Sequence, residues 1–171
     1  DEAVRPFNVA HTSGLVLCGL ADTDDGKKTG IQQSGIQQSG IQLGVDVECM
    51  NRRTDPAIAE RFFSPPEITY LHTHQSDTAR RNAFLRIWTL KESFIKAIGT
   101  GMATPLADFA FEQIDSDRPL IRMLSENLER GERWQFKVFQ PRPGFIAAAA
   151  VCTGTQTPTP TIELLNFDEM I

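Results

Sequence analysis

Apolar residues along the chain follow two different periods, which separate expected strands from expected helices. Short apolar or alternating runs bounded by turn residues predict strands. These runs occupy residues 7–20, 43–48, 109–114, 120–124, 134–139, 144–152 and 161–165, the first run being two short strands around a polar turn. Because most of these strands follow one another through short turns, we expect antiparallel pairing.

The middle of the chain has the apolar period of helices instead. Asp55 followed by proline is typical of a helix start, and Ser64 with Glu67 has the spacing of a capping box. From Ala79 the pattern indicates one long amphipathic helix that ends at Gly99. The sequence therefore predicts an α+β fold, in which a mostly antiparallel sheet packs against one long helix.

Three carboxylates and two lysines stand out within these elements. Asp46 and Glu48 lie two positions apart on a strand and therefore project from the same face. Glu92 lies on the long helix, where Lys96 shares its face and Lys91 directly precedes it. Carboxylates on an apolar face are costly without a cation, and magnesium binds a few carboxylates together with waters and substrate phosphates. We therefore predict that the three carboxylates meet around one divalent metal ion.

Each of these residues also has an ordinary structural interpretation. Asp46 and Glu48 fit a solvated strand face, and Glu92 and Lys96 have the spacing of an exposed helical ion pair worth only about 0.3–0.5 kcal/mol. His11, in the first turn, is also explained by a hydrogen bond to the backbone. Spacing alone leaves both interpretations open.

Composition narrows the class of protein. The 171 residues are about the size of one domain, and 40% hydrophobic residues suffice for a core. A formal net charge of -5 without a basic stripe argues against a nucleic-acid partner. Three widely separated cysteines indicate buried free thiols, and no apolar run approaches the ~20 residues of a membrane span. We expect a cytoplasmic protein that does not associate with membranes.

Residues 44–48, Gly-Val-Asp-Val-Glu, and residues 88–97, Trp-Thr-Leu-Lys-Glu-Ser-Phe-Ile-Lys-Ala, carry a family resemblance. They closely resemble the two signature motifs of the 4'-phosphopantetheinyl transferases of the surfactin-synthetase-activating type. Residues 7–12, 61–64 and 101–106 are similar to that family too. The resemblance extends over about residues 7 to 170.

This resemblance implies the family's fold and an enzyme that transfers the 4'-phosphopantetheine arm from coenzyme A to a serine of an acyl or peptidyl carrier protein. Asp46 and Glu92 resemble direct magnesium ligands, and Glu48 resembles a third acidic member that binds directly or through water. Glu92 is also implied as the base that deprotonates the carrier serine. The resemblance also implies coenzyme A as the substrate and Mg2+ as the cofactor.

The resemblance also implies contacts to coenzyme A. Lys96 and Lys91 correspond to residues that contact its pyrophosphate, and His11 with Thr12 resembles the segment that binds its phosphates. Lys96 would take part in catalysis as well, because it neutralises charge on the leaving 3',5'-ADP.

Enzymes of this type have two similar lobes, and the resemblance divides the chain accordingly. Residues 1–20 correspond to the end of the first lobe, and residues 43–171 to the second lobe with the metal site. Residues 21–42, which contain Gly-Ile-Gln-Gln-Ser twice, are expected to form a flexible loop because such a repeat buries little. Two alternatives stay open. One is a non-catalytic half-enzyme that binds carrier proteins, since most of the first lobe has no counterpart here. The other is another magnesium-dependent phosphate hydrolase, which would use the same three carboxylates.

Overall fold

The computed structural model of the chain describes residues 5–21, 40–154, 161–163 and 165. Apart from its ends, the predicted loop at residues 21–42 lies outside these ranges. Three strands, three helices and four strands follow one another in the order β1 Phe7–Thr12, β2 Leu15–Leu20, β3 Gln42–Cys49, α1 Ala59–Phe62, α2 Pro65–His72, α3 Asp77–Ile98, β4 Phe109–Glu112, β5 Leu120–Met123, β6 Trp134–Phe139 and β7 Phe145–Cys152. Residues 161–163 and 165 form no strand, so the predicted last strand is wrong within the part described.

All strand pairs among the described residues are antiparallel, as predicted. Strands β3, β7 and β6 form one sheet in that order, while β1 pairs with β2 and β4 pairs with β5 as separate two-stranded sheets. The 22-residue helix α3 packs against the three-stranded sheet. The predicted α+β class with one dominant helix is confirmed.

The three-stranded sheet is covered on both faces. Val45 and Val47 of β3 pair with Ala149 and Ala147 of β7, and these four residues pack with Ala10 of the β1–β2 hairpin. The opposite face contributes Ala148 and Ala150, among others, to the core that surrounds α3. Because side chains alternate along a strand, Asp46 and Glu48 lie on the face that α3 covers.

Gly44 is the point of closest approach between β3 and α3. A Cβ atom at this position would lie 2.0 Å from the Ser93 carbonyl oxygen and 2.5 Å from the Ala97 nitrogen. Only a residue without a side chain leaves room for the helix backbone here. This contact brings the turn of α3 that carries Lys96 over the strand that carries Asp46.

The predicted helix ends are close to the observed ones. Glu67 accepts a hydrogen bond from the Ser64 backbone N–H at 3.1 Å, which confirms the capping box at the start of α2. Helix α3 begins two residues before the predicted start, because Ser76 caps it by accepting a hydrogen bond from the Ala79 N–H. It ends at Gly99, whose positive φ of 70° reverses the chain.

The three cysteines differ in how far they are buried. All three cysteines are free, but only Cys152 is buried, and Cys18 is exposed, contrary to the expectation of buried thiols. Among the helices described, none is both long and apolar enough to cross a membrane.

Candidate active site

Asp46 lies at the centre of β3, and Lys96 reaches it from the last turn of α3. The Lys96 Nζ atom donates a hydrogen bond to Asp46 Oδ1 at 2.8 Å and another to the Val45 carbonyl at 3.2 Å. The second carboxylate oxygen, Asp46 Oδ2, is buried and has no hydrogen-bond partner. A buried polar atom without a partner is unusual in native proteins, so this oxygen is a candidate ligand atom.

The carboxyl groups of Asp46 and Glu92 are both shifted by their surroundings. Burial raises the pKa of Asp46 to about 6, although Lys96 opposes the rise, and the negative charges of Glu48 and Glu92 add to it. Burial also raises the pKa of Glu92, with Lys96 opposing this shift and Glu48 adding to it. The carboxylates therefore interact through space on one side of the sheet.

Glu92 and Glu48 differ in how their charges are balanced. Among the described residues, the Glu92 carboxylate accepts no hydrogen bond and has no ion-pair partner, apart from the charge of Lys96 nearby. Glu48 is buried, and its Oε1 atom lies 2.7 Å from Nη1 of Arg52, which follows the strand. Glu92 is thus available to a proton or a metal ion, whereas one oxygen of Glu48 is occupied.

The donor set fits magnesium as an incomplete site. Within the described ranges, no group of three or more His, Cys, Asp or Glu side chains is arranged to hold a metal ion. Magnesium, however, usually keeps several waters and binds one or two carboxylates together with substrate phosphates. The unpaired Asp46 Oδ2 and the unpaired Glu92 carboxylate match that smaller requirement.

Lys91 is not part of this group. Its side chain is fully buried, with Nζ 2.8 Å from Glu67 Oε2 and hydrogen bonds to the carbonyls of Leu106 and Phe109 at 2.6 and 2.7 Å. Burial lowers the pKa of Lys91, and the charge of Glu67 opposes this shift. The placement contradicts the expectation that Lys91 contacts coenzyme A, because a side chain without exposed surface does not reach a ligand.

Glu67 has two structural roles, of which the sequence predicted only the capping of α2. Besides the Ser64 backbone, its carboxylate accepts hydrogen bonds from the Ser64 hydroxyl at 2.6 Å and from the Phe111 N–H at 3.0 Å. The capping-box spacing identified Glu67 as a cap. It gave no sign that the same carboxylate pairs with Lys91 on the next helix, since that contact depends on tertiary packing.

His11 and Thr12 lie at the end of β1, on opposite faces of the hairpin. Thr12 is half-buried on the face that carries Ala10, whereas His11 is exposed on the outer face, opposite Val16. Among the described residues, neither side chain hydrogen-bonds to the carboxylate group. Their role in binding coenzyme A stays a prediction.

A family model described as the 4'-phosphopantetheinyl transferase superfamily matches residues 42–152, from β3 to β7. The matched part is more than half of the chain. The chain belongs to this transferase superfamily. The match includes Asp46, Glu48, Glu92 and Lys96.

Individual transferases are similar over most of the chain. A 4'-phosphopantetheinyl transferase of Bacillus subtilis is 31% identical over 172 aligned residues, covering 96% of this chain. The transferase Gsp of Aneurinibacillus migulanus is 31% identical over 103 residues, covering 60% of the chain. The chain spans only 62% of the length of the first relative and 35% of the second.

Solved structures show the same fold. The holo-acyl-carrier-protein synthase of Thermotoga maritima aligns with 68% of this chain and 66% of its own, with a TM-score of 0.53 and 22% identity. At this identity the likeness concerns the fold. It agrees with an antiparallel sheet covered by one long helix, the architecture predicted for this family.

Proposed function

We propose that the protein transfers 4'-phosphopantetheine from coenzyme A to a serine of an acyl or peptidyl carrier protein in a magnesium-dependent reaction. Membership of the transferase superfamily supports this reaction. The observation that carries it is the meeting of Asp46 and Lys96, two residues of the signature motifs, at 2.8 Å. The three free cysteines support a reducing compartment, and we propose the cytoplasm.

In this proposal Asp46 Oδ2 and Glu92 would hold magnesium, and the ion would supply a positive charge that withdraws electron density from the pyrophosphate of coenzyme A. Lys96 contacts a pyrophosphate oxygen and neutralises charge on the leaving 3',5'-ADP. The Glu92 carboxylate accepts the proton of the carrier serine. The serine oxygen forms a bond to the phosphorus that carries pantetheine, and the bond from that phosphorus to 3',5'-ADP breaks.

One exposed aromatic residue of α1 is a candidate for contact with the carrier. Phe62 is 45% exposed on α1 and lies under the Arg61 guanidinium, 5.7 Å from its ring centre. Phe63, by contrast, is buried and stacks on Phe84 in the core. We propose that an apolar carrier surface docks at Phe62, since exposed aromatic side chains are typical of interaction sites.

Mass spectrometry of an apo carrier protein tests the reaction directly. The carrier is incubated with the protein, coenzyme A and Mg2+, and only transfer adds the mass of the arm. We expect Asp46→Ala and Glu92→Ala to abolish transfer, and Lys96→Ala to weaken the use of coenzyme A. The matched control is Glu112→Ala, which removes a half-exposed carboxylate paired with Arg122 on another sheet. Unchanged transfer by Asp46→Ala or Glu92→Ala would contradict the mechanism.

The exposed Phe62 also suits a second candidate function. This candidate is a half-enzyme that binds carrier proteins without modifying them. It predicts that the protein retains an apo carrier in a pull-down while the carrier mass stays unchanged. Retention together with transfer would support the transferase instead.

A further inference from the structure

A cleft of about 550 Å3 lies at the N-terminal end of α3. Its walls are the turn that follows β3, the short helix α1, the end of α2 and the first turns of α3. Three lining residues, Thr54, Arg80 and Arg81, each have a buried polar atom without a hydrogen-bond partner among the described residues. All three atoms can donate a hydrogen bond, and buried donors in native proteins are normally satisfied. The cleft therefore suits a ligand that accepts hydrogen bonds.

Arg81 is the unpaired cation of this cleft. Arg80 donates a hydrogen bond from Nη2 to the His74 carbonyl at 3.1 Å, and its Nη1 atom lies 3.8 Å from Asp77 Oδ1. The Arg81 guanidinium makes no hydrogen bond and no ion pair within the part of the chain that the structure describes, although the residue is half-buried. A partly desolvated positive charge without a counter-charge favours an anion beside it.

Three carboxylates around the cleft limit which anion fits. Asp55 accepts a hydrogen bond from the Ala57 N–H, Glu60 pairs with His72 at 2.8 Å, and the Asp77 side chain is fully exposed. These negative charges repel a phosphate monoester, which carries about 1.5 to 2 negative charges, more strongly than a carboxylate with its single charge. The cleft therefore favours a carboxylate over a phosphate.

Arg81 lies on the same face of α3 as Glu92, the proposed base. The two residues are 11 positions apart, so they differ by only about 20° around the helix and by about 16 Å along it. A protein interface of about 800 Å2 per partner extends about 16 Å from its centre. The rim of a carrier whose serine lies at Glu92 therefore reaches Arg81. Phe62, the proposed apolar contact, belongs to α1, which also lines the cleft.

We propose that Arg81 binds a carboxylate side chain of the carrier protein at the rim of the docking surface and thereby contributes to recognition of the carrier. This inference rests on the proposed function. A charge at the rim of an interface mainly accelerates association and selects partners, and salt weakens its effect. Arg81 therefore acts on binding of the carrier and not on the chemical step.

The test measures transfer as a function of apo carrier concentration, at saturating coenzyme A and Mg2+. We expect Arg81→Gln to raise the KM for the carrier about threefold to tenfold at low salt, with kcat and the KM for coenzyme A unchanged. In about 0.5 M NaCl the difference from wild type should shrink to less than about twofold, which a merely structural role would not produce. Arg81→Lys keeps the charge and should stay within about threefold of wild type.

Arg118→Gln is the matched control. It removes the same charge from an exposed arginine between β4 and β5, outside the cleft, and we expect the KM for the carrier to change less than about twofold. Circular dichroism confirms that each variant is folded.

A mutant cycle with the carrier identifies the carboxylate. Each surface Asp or Glu of the carrier is changed in turn to Asn or Gln and assayed with wild type and with Arg81→Gln. We expect one carrier variant to raise the KM with wild type and to have no further effect with Arg81→Gln. If the protein retains the carrier without modifying it, the same cycle is measured with the Kd of the complex, and the same outcomes decide.

Two results would overturn the inference while leaving the proposed function intact. One is an unchanged KM for the carrier in Arg81→Gln, and the other is additive effects of Arg81→Gln with every carrier variant. Absence of both transfer and retention of the carrier by wild type would overturn the proposed function together with the inference.

Discussion

Asp46 carries a charge that its buried position disfavours, which makes the stability of the protein depend on pH. Its pKa is about 6 in the folded protein, against 3.8 for an exposed aspartate. Between these values the folded state binds more protons than the unfolded state, so the contribution of Asp46 to stability falls as the pH rises from about 4 to 6. Above pH 6 the full cost of the buried charge is present.

We therefore expect Asp46→Asn to become progressively more stable relative to wild type as the pH rises from 4 to 7 in metal-free buffer. The gain in the free energy of unfolding should approach about 2–3 kcal/mol, since one pKa unit corresponds to about 1.4 kcal/mol. Urea unfolding across this pH range measures it. A difference between the two proteins that is independent of pH would contradict the raised pKa.

Lys91 and Glu67 form a fully buried ion pair, and removal of one partner leaves the other charge unpaired. We expect Lys91→Ala to cost about 3–5 kcal/mol in the free energy of unfolding. The double variant Glu67→Gln with Lys91→Met should lose less than the sum of the two single variants, because no buried charge remains. The control is Arg122→Ala, which breaks the exposed pair with Glu112 and should cost less than about 1 kcal/mol. Additive single effects would show that the pair is not coupled.

The positions of Lys91 and Lys96 on α3 show how far residue spacing predicts side-chain contacts. The four-residue spacing of Glu92 and Lys96 predicts a shared helical face, but Lys96 in fact turns to Asp46 of the strand. Lys91 differs from Glu92 by one position along the helix and thereby points into the core instead. Which helical face meets the strand depends on packing partners distant in sequence, so the motif alone did not separate the two lysines.

At the scale of elements, Gly44 determines how closely α3 approaches β3. We expect Gly44→Ala to destabilise the protein by about 1–3 kcal/mol or more, since the added carbon would meet helix backbone that does not move aside. It should also lower transfer, because a displaced α3 separates Lys96 and Glu92 from Asp46. Urea unfolding and the carrier assay measure the two effects.

Gly40→Ala is the matched control for this substitution. A Cβ atom at Gly40 would meet nothing within 4 Å, and we expect its effect on stability to stay within about 0.5 kcal/mol. If both glycine substitutions proved equally tolerated, α3 would not pack on Gly44 as described.

Elements with a strong local signal were the ones predicted well. The apolar run at residues 43–48 predicted β3, which is observed as Gln42–Cys49. The helical spacing of apolar residues from Ala79 onward predicted α3, which is observed as Asp77–Ile98. The expected strand at residues 161–165 is absent from the residues described there, because a short apolar run forms a strand only where a partner strand is available.

At the scale of the whole molecule, the sheet order β3–β7–β6 joins the first and last strands of the transferase region. Local patterns predicted the strands but not this order, since pairing between β3 and β7 is set by side chains far apart in the sequence. The same applies to the β1–β2 hairpin, whose inner face covers Val45 and Val47. The assignment of residues 1–20 to a first lobe stays a prediction.

Docking of the hairpin on the sheet is testable with one pair of substitutions. Ala10 is 2% exposed and packs with Val45 and Val47, whereas Val9, its neighbour on β1, is 47% exposed on the outer face. We expect Ala10→Asp to lower the free energy of unfolding by about 2–4 kcal/mol, because it buries a charge without a partner. Val9→Asp places the same group in solvent and should cost less than about 1 kcal/mol. Equal costs for the two variants would mean that the hairpin does not cover the sheet. A single cooperative unfolding transition that shifts only with Ala10→Asp would show that the hairpin and the sheet are one folding unit. Thr12 would then be held in a fixed position relative to β3.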